Sequence, residues 1–539
     1  TPSNSSAASD VYKRQPKGFQ SSIEILMKSF RADLVIGVLE KLREDKGLSD
    51  IVFLGKEDIN FAKQLLSKAI NDENLRETFE KNAAKYIDDH LQNFLEIFDS
   101  KLAHLILSQF YFANSFSKNM KQKLSTIITK ISHVRELVAY FYTPKTLAEV
   151  IKIWNVPSEW SDKKIFKDLF IEDNRITEIL SKAKQYSLTG TNIVILGEPG
   201  VGKTSLLFKL FVDLSKIKNV ALIVPGTPIK NIHEDLGITL FIDDLPQQPS
   251  QTIQNISKVR NIVATARTHE YKGLLNQYPE IRNTFIELHL GKASQTFLQE
   301  MLLRLLSKSR IPYEDTAIKI VVEKAKGTPM YIYQIYKDLT LKLSRERYAK
   351  LDRTFAEAIP PGMYEYIGEL IQTSIVNRQG GKSMLAALKT IAILKTKTIN
   401  SSHLAQLYQT LCEKLGEKPN WDLYNQIHTL LIYDPKEMTI KFPHDTWIDT
   451  LKGKSNILQS ALNLIDNNIP DKEKVKLARI SGETVWNKKY SDIIYLKEKE
   501  VLTRQDLTQA LLLACSLRKE FPEVRLFGLE EIKSLLQNT

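Results

Sequence analysis

Cysteine is nearly absent, with only Cys412 and Cys515 in 539 residues. The two stand far apart in helical patterns. They cannot supply a disulfide framework or a thiolate metal site, and they read as packed thiols in a reducing, cytoplasmic setting. No apolar run approaches the ~20 residues that span a bilayer, so no membrane partner is expected. Thr1–Gln15 is rich in Ser and Ala and carries no apolar stretch of a secretory leader. The string Ser5–Gln15 reads as translated adaptor sequence, so 1–15 is expected to be a non-native tail, with native residues missing from both ends. Proline is absent between Pro16 and Pro144, and glycine is sparse there (Gly18, Gly37, Gly47, Gly55). Charge of one sign is not concentrated either. The net charge of +12 and pI near 9.2 suit a solvated surface better than a nucleic-acid groove. With 43% apolar residues, general disorder is excluded, and the length suggests about three to five domains.

The stretch that organises the chain is 193–206. Ile193, Val194, Ile195 and Leu196 form the short apolar run of a buried parallel strand. Gly197, Glu198, Pro199, Gly200, Val201, Gly202, Lys203, Thr204 and Ser205 follow, and then the helical pattern of Leu206, Leu207, Leu210 and Phe211. Glycines let backbone N–H groups turn in around a phosphate, and the helix start adds its positive dipole end. Lys203 can reach β- and γ-phosphates, and Thr204 can ligate Mg²⁺.

Residues 16–170 read as a helical domain. Apolar residues recur at three- and four-residue spacing, as in Ile23, Leu26, Met27 and Phe30, or Leu91, Phe94, Leu95 and Phe98. The aromatic cluster Phe110, Tyr111, Phe112 and Phe116 reads as core. From 171 helices alternate with short apolar strands, the pattern of a parallel βαβ sheet. Five strands are expected: 193–196, 220–224 ending at Pro225–Gly226, 238–242, 262–265 and 285–288. Ligands in such sheets sit at the C-terminal strand ends. There Asp243 is placed to hold a magnesium ion opposite Thr204, and Asp244 to orient or deprotonate a water. Arg267 can contact a γ-phosphate, or it can be a surface arginine closing a strand.

Residues 292–379 return to helices, a helical lid. Gly327-Thr-Pro329 opens a helix over 331–343. Pro329 is either an ordinary helix start or a contact over an adenine. Residues 380–452 read as three helices (384–394, 401–415, 421–430) and a hairpin with its turn at Asp434-Pro-Lys-Glu, the pattern of a winged helix. No Arg/Lys cluster marks the third helix, so DNA readout is not favoured. After the hairpin, Asp445 can cap the next helix, and His444 can be a core histidine. Residues 453–539 are again helical, with Leu458, Ala461, Leu462 and Ile465 and later Leu507, Ala510, Leu511 and Ala514, and can begin a repeat array.

In order and kind these motifs resemble the STAND class of P-loop NTPases, which includes the NB-ARC and NACHT modules. Gly197–Thr204 is similar to its Walker A motif and Leu240-Phe-Ile-Asp-Asp244 to its Walker B motif. Ala264-Thr-Ala-Arg267 is similar to its first sensor, Gly327-Thr-Pro329 to its G-x-P motif, and Phe442-Pro-His-Asp445 to its M-H-D motif. Arg175 resembles its adenine-side contact. The departures are a short spacing between the Walker motifs, Thr-Ala-Arg for Thr-Thr-Arg, and Phe-Pro before His444. The resemblance covers roughly 171–452. It implies an α/β P-loop core with a five-stranded parallel sheet (171–291), a helical lid and a winged helix, flanked by all-α regions. It implies ATP rather than GTP, and no Asn-Lys-x-Asp element for guanine occurs. It further implies Mg²⁺, slow hydrolysis, a His444 contact to ADP, self-assembly in the ATP state, and protein partners on the helical flanks in signalling or defence. The rival from another class is a DNA-binding ATPase, resembling archaeal replication initiators.

Overall fold

A computed structural model describes residues 17–51, 54–91, 100–113, 120, 122–124, 141–142, 144, 146–154, 156, 158–223, 237–394, 398–434 and 438–481. The chain divides into two compact units that meet between Leu305 and Leu306.

Among the described residues the first unit begins with the helices Lys17–Ser29, Ala32–Asp45, Lys56–Ala69, Glu73–His90 and Ser100–Phe112. Their apolar faces, at the spacing expected, enclose one core containing Leu26, Val35, Leu39, Phe79 and Phe110. Phe110 is therefore core, as its sequence context suggests. Phe94, Leu95, Phe98 and Phe116, and the side chains of Tyr111 and Phe112, lie outside the described residues. Two of these helices approach so closely that only glycine fits at the crossing. A β-carbon at Gly37 would lie 1.8 Å from the Phe79 carbonyl oxygen.

This bundle is fastened to the αβ layer by polar groups withdrawn from water. Arg31 donates through Nε to Asp33 Oδ1 at 3.0 Å and through Nη2 to Glu80 Oε1 at 2.7 Å. Its backbone N–H donates to Ile217 O at 2.6 Å, just past the end of the helix Lys203–Leu214. Gln109 accepts from Ala32 N at 3.0 Å and donates to Met27 O at 2.6 Å. Asn219 Nδ2 donates to Gln109 O at 2.9 Å. Burial disfavours the Arg31 charge, but Asp33 and Glu80 outweigh it and hold the guanidinium above its ordinary range.

The sheet has the order β1-β3-β4-β5-β2-β6, with β1 Phe141–Tyr142, β2 Ile193–Gly197, β3 Val220–Ile223, β4 Thr239–Ile242, β5 Ile262–Arg267 and β6 Ile286–His289. The five strands β2 to β6 are parallel. They match the five expected, with ends shifted by a residue or two; Val224, Pro225 and Gly226 lie outside the described residues. β1 is a correction. It comes from the region read as wholly helical and pairs antiparallel with β3. Two residues are too few to show a period of two. The segment 147–170 does not stay with the helical bundle either. Trp160 and Phe166 pack on Phe208, with ring centroids 5.7 and 5.1 Å away. Trp154 packs on Phe211 at 5.7 Å and Phe241 at 6.0 Å.

The second unit contains the helices Asp315–Lys324, Pro329–Glu346, Arg353–Ala358 and Met363–Ile371, and then Gly381–Ile393. Next come β7 Thr398–Asn400, the helices Ser401–Leu415 and Trp421–Leu430, β8 Ile432–Asp434 and β9 Thr439–Lys441. The expected hairpin is thus part of a three-stranded antiparallel sheet, β7-β9-β8. The polar, three-residue β7 was not foreseen. The turn residues 435–437 lie outside the described residues. Helices Asp445–Asp449 and Asn456–Asn468 follow, and 471–481 is helical. Cys412 is buried and free, and burial pushes its thiol up. Residues 482–539, with Leu507, Ala510, Leu511, Ala514 and Cys515, lie outside the described residues. No helix among the described residues is long and apolar enough to cross a membrane.

Replacing Arg31 with Ala leaves the Asp33 carboxylate, 0% exposed, without its guanidinium. Denaturant unfolding should show a loss of about 3–5 kcal/mol, the usual consequence of stranding one buried charge. A loss under about 1 kcal/mol, the range of a surface ion pair, would show that the buried Arg31–Asp33 pair does not hold the bundle together.

Candidate functional site

β2 runs out at Gly197, and the helix Lys203–Leu214 starts after five intervening residues. Gly200 (φ 78°) and Gly202 (φ 104°) take left-handed backbone, as an anion nest at a helix N-terminus requires. Gly197 is needed for another reason. A β-carbon there would lie 2.7 Å from Leu290 O and 3.0 Å from Val201 Cγ2. Val201 is 3% exposed, so its side chain anchors the loop and leaves only its backbone for a ligand. Glu198 is exposed, and Pro199, Lys203, Thr204 and Ser205 are half-buried. Lys203 Nζ folds back on the loop, donating to Gly197 O and Glu198 O, both at 2.9 Å.

The order β4-β5-β2 places the strand ends side by side. Gly197 is in register with Arg267, and Ile242 with Ala264. Beyond Ile242, Asp243 meets Thr204, whose hydroxyl stands 3.1 Å from Oδ1 and 3.2 Å from Oδ2. The carboxylate also accepts from Thr265 Oγ1 at 2.6 Å. Asp244 is 9% exposed and left-handed (φ 58°, ψ 65°), and its N–H donates to Thr265 Oγ1 at 2.9 Å. Arg267 is 7% exposed. It lies 3.7 Å from Glu270 and is the N-cap of the helix Thr268–Gln277. It is therefore not a surface arginine. Tyr271 follows in that helix, and burial, helped by Glu287, pushes its hydroxyl up to about 12.

Arg175 follows Asp173, the N-cap of the helix Asn174–Leu188. Its Nη1 donates to Gly291 O, and the guanidinium lies 5.4 Å from the Phe297 ring centre. Its Nη2 is buried with no hydrogen-bond partner among the described residues. Leu290, beside Gly291, donates to Leu196 O at 2.7 Å, so Arg175 stands at the same end of the sheet as the loop.

Lys203, Thr204, Asp243, Asp244 and Arg267 are thus gathered at one edge. Pro329 and His444 belong to the second unit, where each has a local role. Pro329 is the first residue of its helix, with Thr328 as N-cap. His444 is half-buried rather than core, and its Nδ1 accepts from Thr446 N at 3.2 Å. His444, not Asp445, is the cap of that helix. This corrects the expectation: Asp445 is already inside the first turn. The residue that sequence reasoning missed is Thr265. It stands inside the sensor-like stretch Ala264-Thr-Ala-Arg267, which is the available signal, but threonine is common in strands and that stretch points first to Arg267.

No protein-family model and no curated protein matches the chain. Solved structures similar to it include the Thermotoga maritima RuvB Holliday junction branch migration motor, 18% identical, covering 50% of this chain and 92% of that chain at TM-score 0.28. Cdc6p from Pyrobaculum aerophilum is 13% identical, covering 57% of this chain and 98% of that one at TM-score 0.27. The Aeropyrum pernix ORC2 protein, in ADPNP–ADP complexes, is 14% identical, covering 56% of this chain and 98% of that one at TM-score 0.27. The assignment of an α/β P-loop NTPase core rests on the strand order and on the glycine loop above.

Gly197→Ala should cost about 1–3 kcal/mol of stability by forcing the loop off Leu290. Thermal unfolding with the same midpoint as the parent would show that the loop is not pinned there.

Proposed function

We propose that the P-loop core binds ATP with Mg²⁺ and hydrolyses it slowly. The observation that carries this is the meeting of Thr204 and Asp243, 3.1 Å apart, between a glycine loop and two strand ends that bear Asp244 and Arg267. A hydroxyl and a carboxylate suit a hard divalent cation that takes its other oxygens from phosphate and water. Magnesium would neutralise phosphate charge there. Lys203, held by two neutral carbonyls, would exchange them for phosphate oxygens, since charge-assisted bonds are the stronger ones. Asp244 would orient or deprotonate the attacking water. Arg267 would contact the γ-phosphate. Arg175, whose buried Nη2 has no partner among the described residues, would face the base or ribose.

In this reading hydrolysis yields ADP and phosphate, and its output is an arrangement of domains. Pro329 from the lid and His444 from a winged helix over 380–452 would sense the nucleotide, as the STAND resemblance implies, with assembly in the ATP state. Moving a two-state balance from 1:99 to 99:1 takes about 5.5 kcal/mol. One charge-assisted hydrogen bond contributes about 1.5–3 kcal/mol, so Arg267 and the metal contact together would bias such a balance, and one contact alone would not.

A second reading, a DNA-acting ATPase, would use the same three-stranded sheet β7-β9-β8 as the wing of a winged helix, with the net charge of +12 as a modest support. Against it, the helix Trp421–Leu430 contains no Lys or Arg.

Lys203→Ala should abolish binding of a fluorescent ATP analogue; retention of the parent's affinity would remove the loop from the site. Asp244→Ala should bind ATP normally and lose single-turnover hydrolysis, whereas equal rates would take Asp244 out of catalysis. Light scattering should report a larger species with ATP than with ADP. DNA affinity that falls steeply with salt, with no change in assembly, would favour the second reading.

A further inference from the structure

We propose that Thr265 is a positioning residue for the metal-dependent step: its one hydroxyl sets the Asp243 carboxylate and the Asp244 backbone in a fixed relation. This rests on the Mg²⁺-ATP reading above and deepens it. A hydroxyl has one proton to donate and lone pairs to accept with, and here both are used. The proton goes to Asp243 Oδ1 at 2.6 Å, and a lone pair takes the Asp244 N–H at 2.9 Å. The residue is 1% exposed, so water does not compete for either bond.

Two consequences follow from the geometry. The bond to Asp243 fixes the rotation of a carboxylate whose Oδ1 and Oδ2 also stand 3.1 and 3.2 Å from Thr204 Oγ1. Thr265 lies on β5 and Asp243 at the end of β4, so this bond joins neighbouring strands at the side chain as well as at the backbone. The bond to Asp244 steadies a residue held in left-handed backbone (φ 58°), a conformation uncommon outside glycine although aspartate adopts it more readily than most. Without the acceptor, that buried N–H loses this bond. The same threonine therefore aims both members of the acidic pair. Outer partners of this kind typically change metal affinity 10- to 100-fold when removed.

The test is a Mg²⁺ titration of the full chain. A fluorescent ATP analogue and single-turnover hydrolysis are followed from EDTA to saturating Mg²⁺ in the parent, Thr265→Val and Thr265→Ser. Metal-free binding should be alike in all three. Thr265→Val should raise the Mg²⁺ concentration at half-saturation about tenfold or more and slow hydrolysis at saturating Mg²⁺. Thr265→Ser, which keeps the hydroxyl, should restore both. A threonine that only holds the fold gives another pattern: a lower unfolding midpoint in the Val variant with the parent's Mg²⁺ dependence. That result overturns the proposal, as does a Ser variant that behaves like Val. If the Val variant does not fold, Thr265→Ala replaces it in the same titration. Loss of the fold in both, with Ser intact, assigns the hydroxyl to folding and also overturns the proposal. A parent chain that binds no analogue at all fails the nucleotide reading itself, which separates the two failures.

Discussion

The insertion of β5 between β2 and β4 is the constraint from which the site follows. Adjacent strands lie about 4.8 Å apart, so the strand that leads into the glycine loop and the strand that ends in Asp243 are separated by about twice that. Their chemical groups can meet only across the end of the strand between them. Thr204 does so from the first turn of its helix, and its hydroxyl reaches Asp243 at 3.1 Å. The inserted strand is not passive. Its penultimate residues put Thr265 under both aspartates, and its last residue, Arg267, ends beside Gly197. Parallel pairing makes all of this happen at one end of the sheet, where a ligand has room.

The helix that begins with Lys203 is held along its length by the rest of the first unit. Its N-terminus carries the glycine loop. Its flank carries Phe208 and Phe211, covered by Trp154, Trp160 and Phe166. Just past its C-terminal end, Ile217 O accepts from the Arg31 N–H and Asn219 donates to Gln109 O, both partners belonging to the helical bundle. A shift of the loop is therefore resisted by aromatic packing and by buried charge together, and neither relaxes without exposing groups that water would have to solvate.

Much of the core was legible in the amino-acid sequence, because fully buried parallel strands are short apolar runs with no alternation to misread. Ile193–Leu196 and Ile262–Thr265 could hardly be anything else between helical patterns. The glycine loop announced its own geometry, since Gly200 and Gly202 do adopt left-handed backbone. What was not legible were features too short or too ordinary to leave a pattern. β1 has two residues. β7, Thr398–Asn400, is mostly polar. The segment 147–170 looked like more of the same helical bundle, although its tryptophans pack on the phosphate-loop helix. His444 and Asp445 can each accept from a helix N-terminus, and only the point at which the chain leaves β9 decides between them. Thr265 looks like any strand threonine until its two partners are seen.

The central claim is that the cleft at the ends of β2, β4 and β5 is a triphosphate site. A crystal structure with a non-hydrolysable ATP analogue and Mg²⁺ tests it most directly. The account predicts the γ-phosphate on Lys203 Nζ, now released from the Gly197 and Glu198 carbonyls that hold it at 2.9 Å, and the metal on Thr204 Oγ1 with Asp243 beside it. An analogue bound elsewhere, with Lys203 still on those carbonyls, would contradict it.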